Sequence, residues 1–368
     1  MNTITIDVSS NIHYPIHMGS EMLGGLRSCL QEKYRQSKIV LISDQNVMRL
    51  HGDRMLSLLQ DFDHHTITIP PGEKSKNRDR KHQIEDELMR LQLGRDTLIL
   101  AYGGGVVGDL SGFVAATYNR GIPWIQIPTT LLAMVDASVG GKTGVNTNWG
   151  KNLIGAIWQP QSVFIDVRFI AGLPRIELLN GMAEVIKTAL ILDRDFFSFL
   201  MRQRQAILNK EEATILEIIR NCVVAKRSVV QNDEREGGFR QILNFGHTVG
   251  HSLEQASGFG TKHGYCVATG IHAECHMAQA LGILNPEDVG TITEFLQTFD
   301  YSLTIPKKYD IDELLAWMRS DKKARQQVPR FVLLESIGRV KREANQYSFP
   351  IPETTVRSVL ERMQNDSD

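Results

Sequence analysis

The chain has 368 residues, of which 42% are hydrophobic and 23% charged, and its formal net charge is −1. That length exceeds one typical core and points to two domains, while the near-neutral balance excludes a global attraction to nucleic acid or to an anionic membrane, and no apolar run is long enough to span one. The start, MNTITIDVSS, lacks the basic and apolar regions of a secretory leader, and Cys29, Cys222, Cys266 and Cys275 follow neither a CxxC nor a disulfide pattern, so a reducing cytoplasm is the expected compartment.

In chain order, MNTITIDVSS alternates like a first strand, and KIVLIS (38–43) reads as a buried strand followed by a helical stretch. HHTITIP (64–70) is the next strand. RKHQIEDELMRLQLG (80–94) has helical spacing and stops at Gly94. DTLILAYGGG (96–105) is a strand running into glycines, and PWIQIPTT (123–130) and SVFIDV (162–167) complete the set. Strand–helix alternation predicts an α/β layer with a mostly parallel sheet. From Pro174 onward helical periodicity dominates, as in RIELLNGMAEVIKTALIL and ILEIIRNCVVAKRSVV; RFVLLES (330–336) reads as one later strand and the terminal QNDSD as a frayed tail. The expected division is an α/β domain over 1–172 and a mainly α-helical domain over 173–368.

In the first half, Gly103, Gly104, Gly105 and Gly108 lie at a strand-to-helix junction, where small residues and free N–H groups suit a pyrophosphate. The spacing is not GxGxxG, and a tight turn is the plainer reading. Asp44 closes KIVLIS, in the place of a ribose-binding acid, and PGEKSK (71–76) and PTT (128–130) also follow strands, so all four segments can converge at the carboxyl edge of one sheet. VDASVGGKTGVNTNWGKN (135–152) reads as a long polar loop with Asp136, Lys142, Asn146, Lys151 and Asn152, suited to an anion although it is no P-loop.

In the second half, LNFGHTVGH (243–251) sets His247 and His251 one turn apart, and GMAEVIKTAL sets Glu184 and Lys187 on one helix face, a spacing that by itself describes a surface ion pair. His263 opens a further helix. Glu184, His247 and His263 would supply a carboxylate and two imidazoles, a set suited to zinc or cobalt with an open position. His272 and His276 have the same four-residue spacing, and periodicity does not rank the two pairs.

These segments in this order (GGGVVGDLSGF, RGI, IPTTLLAMVDASVGGKTGVN, GKNLIGA, QP, GMAEVIK, DERE, LNFGHTVGH, HG and DKK) resemble the 3-dehydroquinate synthases, from the first strand to about residue 340. The resemblance implies a Rossmann-like NAD-binding domain, a helical metal domain and an active site in the cleft between them. It assigns one divalent metal, zinc or cobalt, to Glu184, His247 and His263. It gives His251, Lys142, Asn152, Arg120 and one of Lys322 and Lys323 to a substrate phosphate, with Arg120 reaching across a homodimer interface. Arg240 and Lys226 go to a carboxylate, Asp136 and Lys187 to hydroxyl groups, and Asn244 to substrate near the metal. Asp44, Glu73, Lys76, Gly104, Gly105, Val106, Val107, Gly108, Asp109, Thr129, Thr130, Lys142 and Lys151 would line the NAD site.

The implied reaction turns 3-deoxy-D-arabino-heptulosonate 7-phosphate into 3-dehydroquinate and phosphate, a step of the shikimate pathway. It runs through transient oxidation by NAD, phosphate elimination, reduction and intramolecular aldol closure. Two positions depart from the family pattern. Tyr265 and Cys266 replace Glu and Ala in HGEAVA, so that Tyr265 either weakens metal retention or faces away from the site, and Ser75 replaces the aromatic of GExYK. Three other readings compete: a sister sugar-phosphate cyclase, a polyol dehydrogenase that would release NADH, and a catalytically silent paralogue.

Overall fold

Runs of β-branched residues ended by glycine, proline or a capping carboxylate build the first half. A computed structural model describes residues 13–234, 237–320 and 327–366; MNTITIDVSS, read as a strand, lies outside them, as do Lys322 and Lys323. The chain divides into two compact units, one of Met1–Pro128 with Gly141–Asp166 and one of Thr129–Gly140 with Val167–Asp368.

In the first unit β1 (Ile16–Gly19) precedes α1 (Met22–Lys33), and β2 (Ile39–Asp44) precedes α2 (Gln45–Leu59). β3 (His64–Ile69), α3 (Arg78–Arg90), β4 (Leu98–Gly103), α4 (Gly105–Thr117) and β5 (Trp124–Pro128) follow. β6 (Lys142–Thr147) and β7 (Gly150–Ile157) pair antiparallel, and β8 (Ser162–Asp166) rejoins the main sheet. That sheet runs β1-β8-β5-β4-β2-β3 with every pairing parallel. Val40, Ile42, Ile99, Ala101 and Trp124 face a core shared with Ile84 and Leu88 of α3 and Leu110 and Val114 of α4. The alternate positions Ile39, Leu41, Leu98 and Leu100 are equally sealed, which is why these strands read as unbroken apolar runs.

The segment 135–152 is not the loop that its composition suggests. Ala133–Ala137 is a single π-helical turn, and β6 and β7 make a hairpin in which Thr143 pairs with Ala156 and Gly144 with Gly155. Glycines at 144 and 155 bring the two backbones so close that a Cβ on Gly155 would lie 1.9 Å from the Thr143 carbonyl oxygen. RFVLLES is also shorter as a strand than read: β9 is Leu334–Ser336, paired with β10 (Arg339–Val340), while Phe331 bridges to Phe349.

The second unit is helical: α5 (Arg175–Leu192), α6 (Arg194–Arg202), α7 (Arg204–Leu208), α8 (Glu212–Asn232), α9 (His247–Ala256), α10 (His263–Ala280), α11 (Pro286–Gln297), α12 (Ile311–Ser320) and α13 (Glu353–Asn365). α5 is buried on every face from Leu178 to Ile191, the mark of a central helix. Gly264, at the start of α10, has no room for a side chain, since a Cβ there would sit 2.0 Å from the Asn180 carbonyl oxygen of α5. Gly270 is packed as tightly, since a Cβ there would lie 1.9 Å from the Gly246 carbonyl oxygen, so α9, α10 and α5 meet backbone to backbone. Among the described residues no helix is long and apolar enough to cross a membrane.

Candidate active site

In the first unit a polar cluster forms where β4 meets α4. β4 ends at Gly103, Gly104 caps α4 without a side chain, and the first turn of α4 presents the backbone N–H groups of Gly105, Val106 and Val107, while the Gly108 N–H donates to the Gly104 carbonyl (3.0 Å). A Cβ on Gly108 would lie 2.3 Å from Gln126 Nε2 of β5, so only glycine lets α4 rest on the sheet there. Asp109, on the same turn, pairs with the buried Lys76 ammonium. Asn146 ties β6 to this corner: its Nδ2 donates to Glu73 Oε1 (2.8 Å), its N–H donates to the Lys76 carbonyl (2.8 Å), and its Oδ1 accepts from the Asn152 N–H (3.1 Å).

Asp44 caps α2, accepting from the N–H groups of Asn46 (2.8 Å) and Val47 (3.0 Å). Lys142 is exposed and Lys151 half-buried. Asn152 adopts a left-handed φ of 53°, and Asn119 (φ 50°), Arg120 (φ 66°) and Gly121 (φ 115°) form an unusual left-handed run that leaves Arg120 on the surface.

The second unit gathers the ionisable groups. Glu184 of α5 and the imidazoles of His247 and His263 offer ligand atoms that all lie within 4.8 Å of one another. Glu184 Oε1 is 3.4 Å from His247 Nε2 and 3.2 Å from His263 Nε2. The other ring nitrogens are engaged away from this point: His247 Nδ1 donates to the Phe245 carbonyl (3.1 Å), and His263 Nδ1 meets Glu254 Oε1 at 2.5 Å. Carbonyls and ionised carboxylates only accept, so both Nδ1 atoms carry hydrogen and both Nε2 atoms point at Glu184.

Burial alone would lower the pKa of His263, but Glu254 and Glu184 on either side hold it up at about 10. Glu184 shifts the other way: burial would raise its pKa, and the Lys187 and His263 charges bring it well below the usual carboxylate range. One carboxylate oxygen and two imidazole nitrogens aimed at one point form a cation trap, and this N, N, O donor set fits a divalent zinc or cobalt ion. Among the described residues His272 and His276 join no such group. Their rings stack edge-on at 4.4 Å, and their Nδ1 atoms meet Thr293 and Gln279.

Around the trap, Lys187 pairs with Glu184, donates to the Leu243 carbonyl at 2.9 Å and is 2% exposed, so the surface ion pair suggested by the spacing is in fact fully buried. Asp136, on the π-helical turn, receives the Lys226 ammonium on Oδ1 at 2.7 Å and on its own carbonyl. Against the cost of burial, the Lys226 charge holds Asp136 below its ordinary pKa.

Arg240 lies fully buried. Its Nη1 donates to the Glu234 carbonyl (2.6 Å), while its Nε has no partner among the described residues. Asn244 ends the 3-10 turn Phe239–Asn244 that carries Arg240, and His251 sits edge-on to His247 at 5.3 Å. Thr129, also in this unit, is buried with no hydrogen-bond partner for its hydroxyl among the described residues, and Thr130 accepts from the Ala133 N–H.

Glu254 is the residue that sequence reasoning passed over. The signal was present, because His247, His251 and Glu254 stand at positions i, i+4 and i+7 of one helix face. Tyr265 turns out to pack edge-on against Tyr301 at 5.4 Å, near Arg175, Glu177 and Asp300.

Comparison with known proteins places these observations. The family described as 3-dehydroquinate synthase, N-terminal, matches residues 66–180, and its C-terminal counterpart matches residues 181–324. A 3-dehydroquinate synthase of Syntrophotalea carbinolica is 42% identical over 328 residues, covering 88% of this chain and 90% of that relative. Another, from Desulforamulus reducens, is 42% identical over 343 residues, covering 92% and 95%. In three dimensions the chain is similar to a 2-deoxy-scyllo-inosose synthase solved with carbaglucose-6-phosphate, NAD+ and Co2+, with a TM-score of 0.88 at 26% identity over 96% of this chain and 98% of that one. With both family segments matched and relatives this close along nine-tenths of its length, the chain belongs to the 3-dehydroquinate synthase family.

Proposed function

We propose that this chain converts 3-deoxy-D-arabino-heptulosonate 7-phosphate to 3-dehydroquinate and phosphate, working in the cytoplasm as a homodimer with NAD and one divalent metal. The observation that carries the reading is the group of Glu184, His247 and His263, built on a buried carboxylate beside Lys187, Asp136, Lys226 and Arg240, in a chain 42% identical to named 3-dehydroquinate synthases. When bound, NAD exchanges hydride with the substrate and the metal polarises its neighbouring oxygens.

The chain's own residues bind, orient and hold charge. Glu184, His247 and His263 hold the metal. Lys187 and Asp136 face the substrate hydroxyls, with Lys226 keeping Asp136 ionised and ready to accept a hydrogen bond. Arg240 and Lys226 take the carboxylate; the unpartnered Arg240 Nε is a donor already stripped of water, so little reorganisation is needed when a carboxylate arrives. Asn244 contacts substrate near the metal. His251, Lys142, Asn152 and Arg120 bind the phosphate, with Arg120 supplied by the second subunit from its strained surface turn. The free N–H groups opening α4, together with Asp44, Glu73, Lys76, Asp109, Thr129, Thr130 and Lys151, receive NAD.

The test is to supply the heptulosonate phosphate with NAD and Co2+ and identify the product by NMR while following phosphate release. The expected result is 3-dehydroquinate and phosphate in equal amounts with no accumulation of NADH. Net NADH would mark a dehydrogenase, a different carbocycle a sister cyclase, and no turnover with metal bound a silent paralogue.

A further inference from the structure

We propose that Glu254 is a positioning residue for the metal centre, acting through His263; this rests on the metal site proposed above. Glu254 is 1% exposed, and an ionised carboxylate in such surroundings must be matched by donors. One of its oxygens lies 2.5 Å from His263 Nδ1, on the side of the ring opposite the nitrogen that faces Glu184.

The two histidines of the trap are therefore braced differently. His247 leans on a neutral backbone carbonyl two residues away. His263 leans on a full negative charge carried by α9, the helix that also carries His247. A carboxylate accepting the Nδ1 hydrogen fixes the rotation of the ring, keeps the Nε2 lone pair toward the cation, and makes the imidazole a better donor. It also links α9 and α10, so the distance between the two imidazoles is set by a side-chain contact as well as by the glycine packing of these helices.

His251, Glu254 and His263 also approach within 4.8 Å of one another as a possible ligand group. A cation held there by Glu254 and His263 Nδ1 would displace the hydrogen that Glu254 accepts. The positioning role thus requires one ion per chain.

The experiment compares wild-type protein with E254Q and E254A on the full chain, using Co2+ as the probe. Metal affinity is read by chelator competition, the Co2+ visible spectrum reports ligand geometry, and the melting temperature of the metal-free form reports folding. E254Q keeps an acceptor without the charge and should bind Co2+ about 10-fold more weakly; E254A should lose about 100-fold, with a shifted spectrum. If E254A does not fold, E254Q decides alone.

Wild-type affinity and an unchanged spectrum in E254Q overturn the proposal. So does a second Co2+ per chain in the wild type that E254Q loses. H247A separates this failure from failure of the site itself: loss of metal there with none in E254Q leaves the metal site standing and removes only the role of Glu254. Stoichiometric metal retained in H247A overturns both.

Discussion

Lys187 and Glu184 form an ion pair one helical turn apart on α5, with side chains only 2% and 1% exposed. Removing one member of a buried pair leaves the other charge uncompensated, at a cost of about 3–5 kcal/mol. Lys187→Met should therefore lower the unfolding free energy of the metal-free protein by roughly 3 kcal/mol. Bound metal supplies a new positive partner for Glu184, so the deficit should shrink when Co2+ is added. Denaturant titrations with and without metal check this; an equal deficit in both would detach Lys187 from the metal centre.

Arg240→Lys should reduce kcat/KM by about 10- to 100-fold, the loss expected when a two-pronged, charge-assisted contact becomes a single one. Arg240 is held by its backbone N–H on Asp233 and by the Glu234 carbonyl, so its place is set before substrate arrives. Steady-state kinetics alongside the melting temperature separate a lost contact from a lost fold.

Gly264→Ala should destabilise the protein by more than about 2 kcal/mol, because the new methyl meets a backbone oxygen at 2.0 Å and neither helix can yield alone. Gly290→Ala, in the middle of α11 with nothing within 4 Å, should instead stabilise by up to about 1 kcal/mol. Thermal melts of the two variants, which differ only in one methyl each, give the comparison.

His272 provides a pH dependence. Burial, with the nearby His276 and Arg362 charges, lowers its pKa from 6.5 to about 3. Between those values the unfolded chain binds a proton that the folded chain does not, so stability falls as pH drops below 6.5 and the loss is complete near pH 3. The slope from this one group is at most about 1.4 kcal/mol per pH unit. His272→Asn should flatten the decline in urea midpoints between pH 6 and 4; an unchanged slope would place the titration elsewhere.

Tyr265→Glu should leave Co2+ affinity within about twofold of wild type, because second-sphere effects act through contact with a ligand and the Tyr265 ring is packed against Tyr301. The metal-free melting temperature should fall as the aromatic pair, worth about 0.5–1.5 kcal/mol, is lost. Tighter metal in this variant would restore the idea that the position tunes the centre.

The parallel sheet was legible because its strands are buried on both faces, so KIVLIS and TLILAYG show as unbroken apolar runs. The hairpin of β6 and β7 was hidden because it is built from Thr, Asn and Gly, residues that suggest a loop, and its strand character comes from backbone proximity at Gly144 and Gly155. Spacing alone could not separate His247 and His263 from His272 and His276, since what separates them is a carboxylate from another helix, Glu184, sixty or more residues away. Glu254 needed only one more turn of the same helical count. The membership of 129–140 in the helical unit had no local signal, as it depends on partners such as Lys226, 90 residues from Asp136.

That last arrangement bears on how the protein is made. Asp136 leaves the ribosome well before Lys226, and at roughly 5–20 residues per second the wait for its partner is about 5–18 seconds. Within that interval the sheet gains β8, which stands between β1 and β5 although it is the last of the six strands to be synthesised. The helical unit therefore owns a turn, 129–140, that is synthesised before the first unit is complete. A fragment starting at residue 167 would be born without the turn that neutralises Lys226, and should emerge as an aggregation-prone piece.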